Sequence, residues 1–500
     1  MPYVRTVRTS SGATAVQIVW KYRRGSREIE HLGSADSEVD VELLKAAAVQ
    51  RIAAGQDELP LGTPAKTEPV ALEITSTRMG RLLDAVGYAY RQLGLDVAAG
   101  RDQVFEQLVT ARIIEPTSKE DAARVLVEAG VRPLSYRTVK RRLPSYATQQ
   151  WRERLSGALA ARANLGPSAL VLYDVSTLWF ETDTDDGFRE PGFSKERRLE
   201  PQITVGLLTD ATGAPLMVDA FEGNRAETRT MIPLIGSFVE AHGIAGVTVV
   251  ADAGMMSEAN LKDIEDADWN FVVGGKLPDI PYAIAEWHRK HPDAAPPDQL
   301  VLSQPTVMGP RADQRKRTTY YQYRAERARR TLHGIDTQVA KAEKAVAGQV
   351  PVKRNRFIQL TGGTKTVNRD LEAKARMLAG WKPYVTNLED QTAEYVIGAY
   401  HHLWRIEHAF RMSKHDLKAR PIYHRKRESI DAHLAVVFAA LAVSHWIEQR
   451  TGWSIRKFVR TFRRYRQVTI NTGTLQVAAE QPLPDDERAI LAKLHRQGAH

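Results

Sequence analysis

Apolar runs of strand length recur between residues 168 and 274, and they limit the fold more than anything else in the chain. Ala169-Leu-Val-Leu-Tyr-Asp-Val175, Pro201 to Leu208 and Pro215 to Phe221 come first, with Thr212-Gly213 at the turn between the last two. Glu227 to His242 then has helical spacing through Met231, Leu234, Ile235 and Phe238, and it stops at Gly243, a residue suited to capping a helix end. Val247 to Ala251 is a fourth strand, Ser257 to Ala267 a second helix and Asn270 to Gly274 a fifth strand. Strands this apolar need cover on both faces. The order β-β-β-α-β-α-β therefore predicts an α/β domain around a mainly parallel buried sheet.

Two of these strands carry a lone carboxylate. Asp174 interrupts Val-Leu-Tyr-Asp-Val, and Asp252 follows Val249-Val250-Ala251 as that strand ends. A charge in such surroundings is costly unless it is paired or bound to a cation. Side chains at the carboxyl ends of neighbouring parallel strands converge on a crevice, where two carboxylates make a hard-oxygen site suited to magnesium or manganese. The plainer alternative is that each aspartate ends its strand or caps the next helix.

The remaining chain suggests several further parts. Five hundred residues exceed what one core usually serves. Residues 1–70 read as a small β-rich piece, with Ala15 to Tyr22 alternating, followed by a helix from Val41 to Ala54 and a linker from Leu59 to Pro69. Residues 71–165 are mostly helical. Within them Thr117-Ser-Lys-Glu120 starts a helix that runs to Gly130, and Ser135 to Leu143 follows a four-residue break. That second helix carries Arg137, Lys140, Arg141 and Arg142, the pattern of a helix-turn-helix with a basic recognition helix. Residues 278–380 are expected to be an insertion domain. Trp381 to Leu388 resumes the strands, helices from Ala393 to Ala419 and Glu428 to Arg450 follow, and 451–500 reads as a basic tail.

Composition narrows the function. The chain has no cysteine, which excludes disulfides and thiolate zinc sites. Its start lacks the apolar segment of a signal peptide, and Leu434 to Val443 is too short to span a bilayer, so the expectation is a cytoplasmic protein without a membrane partner. Net charge is +10, and residues 401–470 hold fifteen Lys or Arg against five Asp or Glu, an excess equal to the whole net charge. Such concentration suits a polyphosphate partner, though a merely solvated basic face has the same composition.

The stretch Tyr400-His-His-Leu-Trp-Arg-Ile-Glu407-His-Ala-Phe-Arg411-Met-Ser-Lys414 is strongly helical, and positions 400, 404, 407, 411 and 414 share one face of an unbroken helix. Here the chain resembles DDE-superfamily insertion-sequence transposases of the IS-four-like group, whose signature is Tyr-x2-Arg-x3-Glu-x6-Lys. Tyr400, Glu407 and Lys414 fit that spacing, while Leu403 stands where the signature has arginine. Tyr-Asp174-Val-Ser-Thr-Leu-Trp-Phe-Glu, Val-Val-Ala-Asp252-Ala-Gly-Met and Gly187 to Arg198 are similar to the family's other motifs.

The resemblance implies a ribonuclease-H-like catalytic core over 166–277 and 381–450, interrupted by the insertion, with an N-terminal mostly helical DNA-binding region. It implies catalysis by Asp174, Asp252 and Glu407 holding two Mg2+ or Mn2+ ions, which activate water or a DNA 3′-hydroxyl for in-line attack. Tyr400, Arg405, Arg411 and Lys414, with Arg137, Lys140 and Arg141, are the expected DNA contacts. The partners it implies are double-stranded DNA, both element ends and target, and a second copy assembled on DNA, in a prokaryotic nucleoid. A structure-specific nuclease and a non-catalytic DNA-binding protein on the same fold are the competing readings. A glycoside hydrolase fits poorly with the positive charge near Glu407. Thr361-Gly-Gly-Thr-Lys-Thr366 lacks phosphate-loop spacing, and His401, His402 and His408 are expected to face solvent.

Overall fold

The computed structural model describes residues 2–9, 12–21, 27–53, 73–166, 169–181, 184–192, 200–244, 246–255, 257–292, 294–308, 311, 314–351, 354–361, 363–472 and 476–495. The expected linker Leu59 to Pro69 and the second half of the Gly187 to Arg198 motif lie outside them. The chain forms two compact units, one from Met1–Arg162, Leu178–Glu181 and Ala409–His500, the other from Ala163–Thr177 and Thr182–His408.

The first unit opens with β1 (Tyr3–Arg8), β2 (Thr14–Lys21) and β3 (Arg27–Ala35), an antiparallel sheet in that order. Helix α1 (Glu38–Ala53) lies on it, burying Ala48 against Val16 and Ile18. Strand β4 (Glu73–Arg78) precedes helices α2 (Gly80–Gln92), α3 (Leu95–Ala98), α4 (Gln103–Ile114), α5 (Ala122–Glu128), α6 (Tyr136–Tyr146) and α7 (Gln149–Ala163). The Asp102 side chain starts α4 by accepting from the backbone N–H groups of Val104 and Phe105 at 2.9 and 3.1 Å. It also receives Arg142 and the Tyr146 hydroxyl of α6. One arginine of the basic helix is thus spent on packing, while Arg137, Lys140 and Arg141 stay exposed.

The second unit has the anticipated element order. It runs β5 (Ala169–Trp179), β6 (Gln202–Asp210), β7 (Pro215–Glu222), α8 (Met231–His242), β8 (Val247–Ala251), α9 (Glu258–Asp266) and β9 (Asn270–Gly274). Then come α10 (Tyr282–Lys290), β10 (Val301–Met308), β11 (Arg315–Tyr323), α11 (Ala325–Val346), β12 (Ile358–Thr361), β13 (Thr364–Val367), α12 (Arg369–Met377), β14 (Trp381–Thr386), α13 (Ala393–His401) and α14 (Leu403–Arg411). One mixed sheet of eight strands, ordered β10-β11-β14-β9-β8-β5-β6-β7, organises the unit. The sheet is not mainly parallel as expected: β5, β8 and β9 run parallel, but β6–β7 is an antiparallel hairpin and β14, β11 and β10 continue antiparallel. Parallel neighbours need a crossover such as α8 or α9, whereas β6 and β7 meet at a tight turn.

Residues 278–380 are therefore not wholly separate from the sheet. Strands β10 and β11 are two of its members, and the fully buried Arg317 guanidinium ties β11 to α9 through Glu265 at 2.8 and 2.9 Å and Glu258 at 3.0 Å. Only α11, β12, β13 and α12 build a core of their own, around Ile335, Val339, Ala342 and Phe357. Thr361 and Thr364 pair across the β12–β13 hairpin, whereas a phosphate loop must lead into a helix.

The chain finishes in the first unit with α15 (Arg427–Thr451), α16 (Ile455–Phe462), β15 (Gln467–Asn471), β16 (Gln476–Glu480) and α17 (Asp485–His495). The described residues of the expected basic tail, 451–472 and 476–495, are folded. β15 pairs with β4 and β16, and α16 buries Ile455, Phe458, Val459 and Phe462 while exposing Arg456, Lys457 and Arg460. α15 is long and apolar enough to cross a membrane, yet 94% of its apolar window is buried inside the protein. It packs against α2, α4, α6, α16 and α17 as the core helix of this unit.

Beside α15, buried cations hold the stretch that leads into it. Arg112 donates to the carbonyls of Leu417 and Lys418, Lys119 to that of Ser429 at 3.1 Å, and His433 Nε2 meets that of Ala419 at 3.0 Å. Burial, helped by the charges of Lys119 and Arg112, pushes His424 down to about 3 and His433 well below its ordinary 6.5. Between about pH 3 and 6.5 the unfolded chain binds protons that these native imidazoles refuse, so stability falls as pH falls. The expected slope is about 1.4 kcal/mol per pH unit for each histidine. Denaturant unfolding at pH 7 and pH 5 should show a smaller difference for His433→Gln than for the unaltered chain; equal differences would refute this account.

Candidate active site

The register of the parallel strands places the two aspartates. Leu172 of β5 makes the last pair, with Val250 of β8, and the same register carried two residues further would bring Asp174 level with Asp252, just past the end of β8. Ala251 pairs with Val273 of β9, so Asp252 is level with Gly274, which in turn pairs with Tyr384 of β14. Because side chains alternate along a strand, Asp174, Asp252, Gly274, Tyr384 and Lys382 share one face at one end of the sheet. Asp174 is half-buried and its Oδ1 accepts from the Val175 N–H at 2.8 Å, while Asp252 is exposed.

Tyr400, near the end of α13, reaches this face. Its hydroxyl donates to Asp252 Oδ1 at 2.7 Å and accepts from Lys382 Nζ at 3.1 Å. Gly274 makes the approach feasible, since a Cβ there would lie 2.7 Å from the Tyr400 oxygen and 2.8 Å from its ring. The Tyr384 ring supports Tyr400 edge-on at 5.1 Å. Burial, the hydrogen bond to Asp252 and the nearby acids raise the Tyr400 phenol well above its usual range, so it remains a donor at physiological pH. Lys382 is half-buried, and burial lowers its pKa while the charges of Asp252 and Glu407 oppose that shift. Glu407 is exposed on α14 and is thus coupled to the same ammonium as Asp252.

The helix bearing Tyr400 and Glu407 is not continuous. α13 stops at His401, a turn at His402 intervenes, and α14 passes into a π turn over Met412–Asp416. Tyr400, Leu403, Ile406 and Ala409 are all buried, a spacing of three. Such a stripe drifts around an unbroken helix of 3.6 residues per turn, and the turn at His402 separates Tyr400 from the three buried residues of α14. The single face expected for positions 400 to 414 is therefore divided. Tyr400 is turned in, Trp404 is 59% exposed, and Leu403, where the signature has arginine, belongs to the buried stripe. Arg405 is engaged locally, donating to the carbonyl of Ala211 in the β6–β7 turn. Arg411 and Lys414 belong to the first unit, as do Arg137, Lys140 and Arg141.

Sequence reasoning passed over Lys382. The signal was the one that identified Asp174, a single charge in an apolar strand, here Trp-Lys-Pro-Tyr-Val-Thr. Among the described residues no three Asp, Glu or His groups are gathered closely enough to grip an ion. The donor chemistry nevertheless fits a divalent cation. Carboxylate oxygens such as those of Asp174, Asp252 and Glu407 are the donors that such an ion takes, and the charges of Asp252 and Glu407 already favour the protonated form of Lys382.

The transposase DDE domain family matches residues 167–443, more than half of the chain. The chain belongs to this family of DDE transposases, enzymes that cut and join DNA strands with divalent metal ions. No curated protein matches it. Among solved structures it is similar to a piggyBac transposase synaptic complex with hairpin DNA, at 10% identity over 83% of this chain and 74% of that one, with a TM-score of 0.36. It is also similar to a Mos1 transposase paired-end complex with the left transposon end, at 15% identity over 49% and 69%, with a TM-score of 0.15. Superpositions this loose leave the family match as the ground for the class.

Gly274→Ala should displace Tyr400 and break its bond to Asp252. A shift of about 1 Å at a reacting centre costs roughly 100-fold in rate. DNA cleavage should fall by about that factor while DNA binding, followed by gel shift, is retained. Cleavage at the unaltered rate would remove Tyr400 from the working site.

Proposed function

We propose that this transposase belongs to the IS-four-like group and that Asp174, Asp252 and Glu407 are its catalytic carboxylates on a ribonuclease-H-like core. The observation that supports this most is the hydrogen bond from Tyr400 to Asp252, which joins the signature helix to the second strand aspartate across 148 residues of sequence. The three carboxylates would hold two Mg2+ or Mn2+ ions, which supply an activated water or 3′-hydroxyl and stabilise the leaving oxygen. Tyr400 orients Asp252 by its hydrogen bond and, as a neutral donor, adds no charge that would repel a DNA phosphate. Arg405 fixes α14 against the β6–β7 turn and so sets where Glu407 stands. Its part in this reading is to position the acid rather than to touch DNA.

The exposed Arg137, Lys140 and Arg141 of α6 would meet element-end DNA, and Arg411 and Lys414 the phosphates beside the cut. The substrates are element ends and a target duplex, two copies of the chain assemble on the DNA, and the work is done in a prokaryotic cytoplasm. Replacing Arg137, Lys140 and Arg141 together by Gln should lower the slope of log affinity against log salt by up to about 2.7, if each neutralises one phosphate. An unchanged slope would take α6 off the DNA.

Glu407→Gln should abolish strand cleavage and leave end binding intact. In the unaltered enzyme, labelled ends should appear joined to a target. Cleaved ends without joined products would mean a nuclease, and a Glu407→Gln protein that nicks its ends normally would defeat the assignment.

A further inference from the structure

Lys382 has no place in the family resemblance, yet its ammonium is bonded to the hydroxyl that holds Asp252. It donates to Tyr400 Oη at 3.1 Å, that hydroxyl donates to Asp252 Oδ1 at 2.7 Å, and Lys382 Nζ lies 4.1 Å from the centre of the Tyr400 ring. The charges of Asp252 and Glu407 favour its protonated form, and that of Arg327 opposes it. Strand register fixes the anchor point, because Lys382 is two residues from Tyr384, which pairs with Gly274. Tyr400 is also held on its other side by Tyr384. The lysine therefore stands on a rigid strand, in a half-buried position where its stem cannot swing freely.

We propose that Lys382 is the built-in counter-ion of the metal site: through Tyr400 it holds Asp252 in place before divalent ions arrive and competes with those ions for that carboxylate. This rests on Asp252 and Glu407 being metal ligands. Carboxylates gathered for a divalent ion repel one another in its absence, and a fixed ammonium relieves that repulsion. The same ammonium opposes entry of a second positive charge, so the resting site binds metal more weakly than its carboxylates alone would. Lys382 is thus a positioning residue that sets metal affinity. A lysine whose task is to hold a DNA phosphate would leave the affinity for metal alone unchanged.

The experiment is titration of the full chain with Mn2+ alone, without DNA, by calorimetry and by the electron spin resonance of free Mn2+. Lys382→Met, similar in length but neutral, should bind Mn2+ about tenfold more tightly, the order expected for removing one nearby charge from a partly solvated site. Lys382→Arg should bind as the unaltered chain does. Asp252→Asn should lose most Mn2+ binding, and if it does not, the ligand assignment fails rather than the role of Lys382. If Asp252→Asn loses binding but Lys382→Met binds Mn2+ as before or more weakly, the counter-ion role is wrong.

A second measurement needs no variant. Saturating Mn2+ should free the ammonium and raise acetylation of Lys382 by acetic anhydride, read by mass spectrometry against exposed lysines such as Lys457. Unchanged or reduced labelling would likewise overturn the proposal.

Discussion

The parallel pairing of β5 with β8 is the constraint on which the site depends. Strand pairing has a period of two, so a slip of one residue would send Asp174 to the opposite face from Asp252. The register is held by apolar residues buried on both faces, among them Val171, Leu172, Val249 and Val250, each fully buried. No polar contact between the aspartates is required to align them. Packing far from the site does it, and the carboxylates occupy positions that the apolar core has already fixed.

What the second unit adds to that alignment comes from the strands on the other side. β9 ends in a glycine, β14 brings a lysine and a tyrosine, and α13 lays Tyr400 over the gap. Each carboxylate then has a distinct setting. Asp174 is partly sheltered and bonded to its own backbone, Asp252 is held by a phenol, and Glu407 is exposed on a helix docked by Arg405. Three acids of one chemical type are thereby given different freedom to move. The buried Arg317 pairs matter for the same reason. Losing one partner of a buried, bonded charge costs several kcal/mol, so β11 is fastened to α9 and the edge beside β14 is kept firm.

Much of this was legible in the amino-acid order, for identifiable reasons. The strands from Ala169 to Gly274 were visible because residues covered on both faces must be apolar, and Asp174 and Asp252 because a charge is conspicuous there. The division of the helix at His402 was not visible. Tyr400, Glu407 and Arg411 fit an ideal helical face equally well, and only the three-residue spacing of buried side chains reveals the turn. Strands β10 and β11 looked like part of an insertion because a lone hairpin and a sheet edge have the same local pattern, and it is a long-range partner that distinguishes them. Lys382 carried the same signal as Asp174, a lone charge in an apolar strand, but its partner Tyr400 lies 18 residues away on another element. The folded state of residues 455–495 was masked by their basic content, although Ile455, Phe458, Val459 and Phe462 already have helical spacing.

The central helix of the first unit also bears on how the protein is made. α15 packs against α2, α4 and α6, which leave the ribosome some three hundred residues earlier. Until Thr451 has emerged, those helices have one another but lack α15, and the second unit must be synthesised in between. Long loops close slowly, and exposed apolar faces attract one another in the meantime. A chain that ends before α15 would therefore keep the strands of the second unit and lack the central helix of the first.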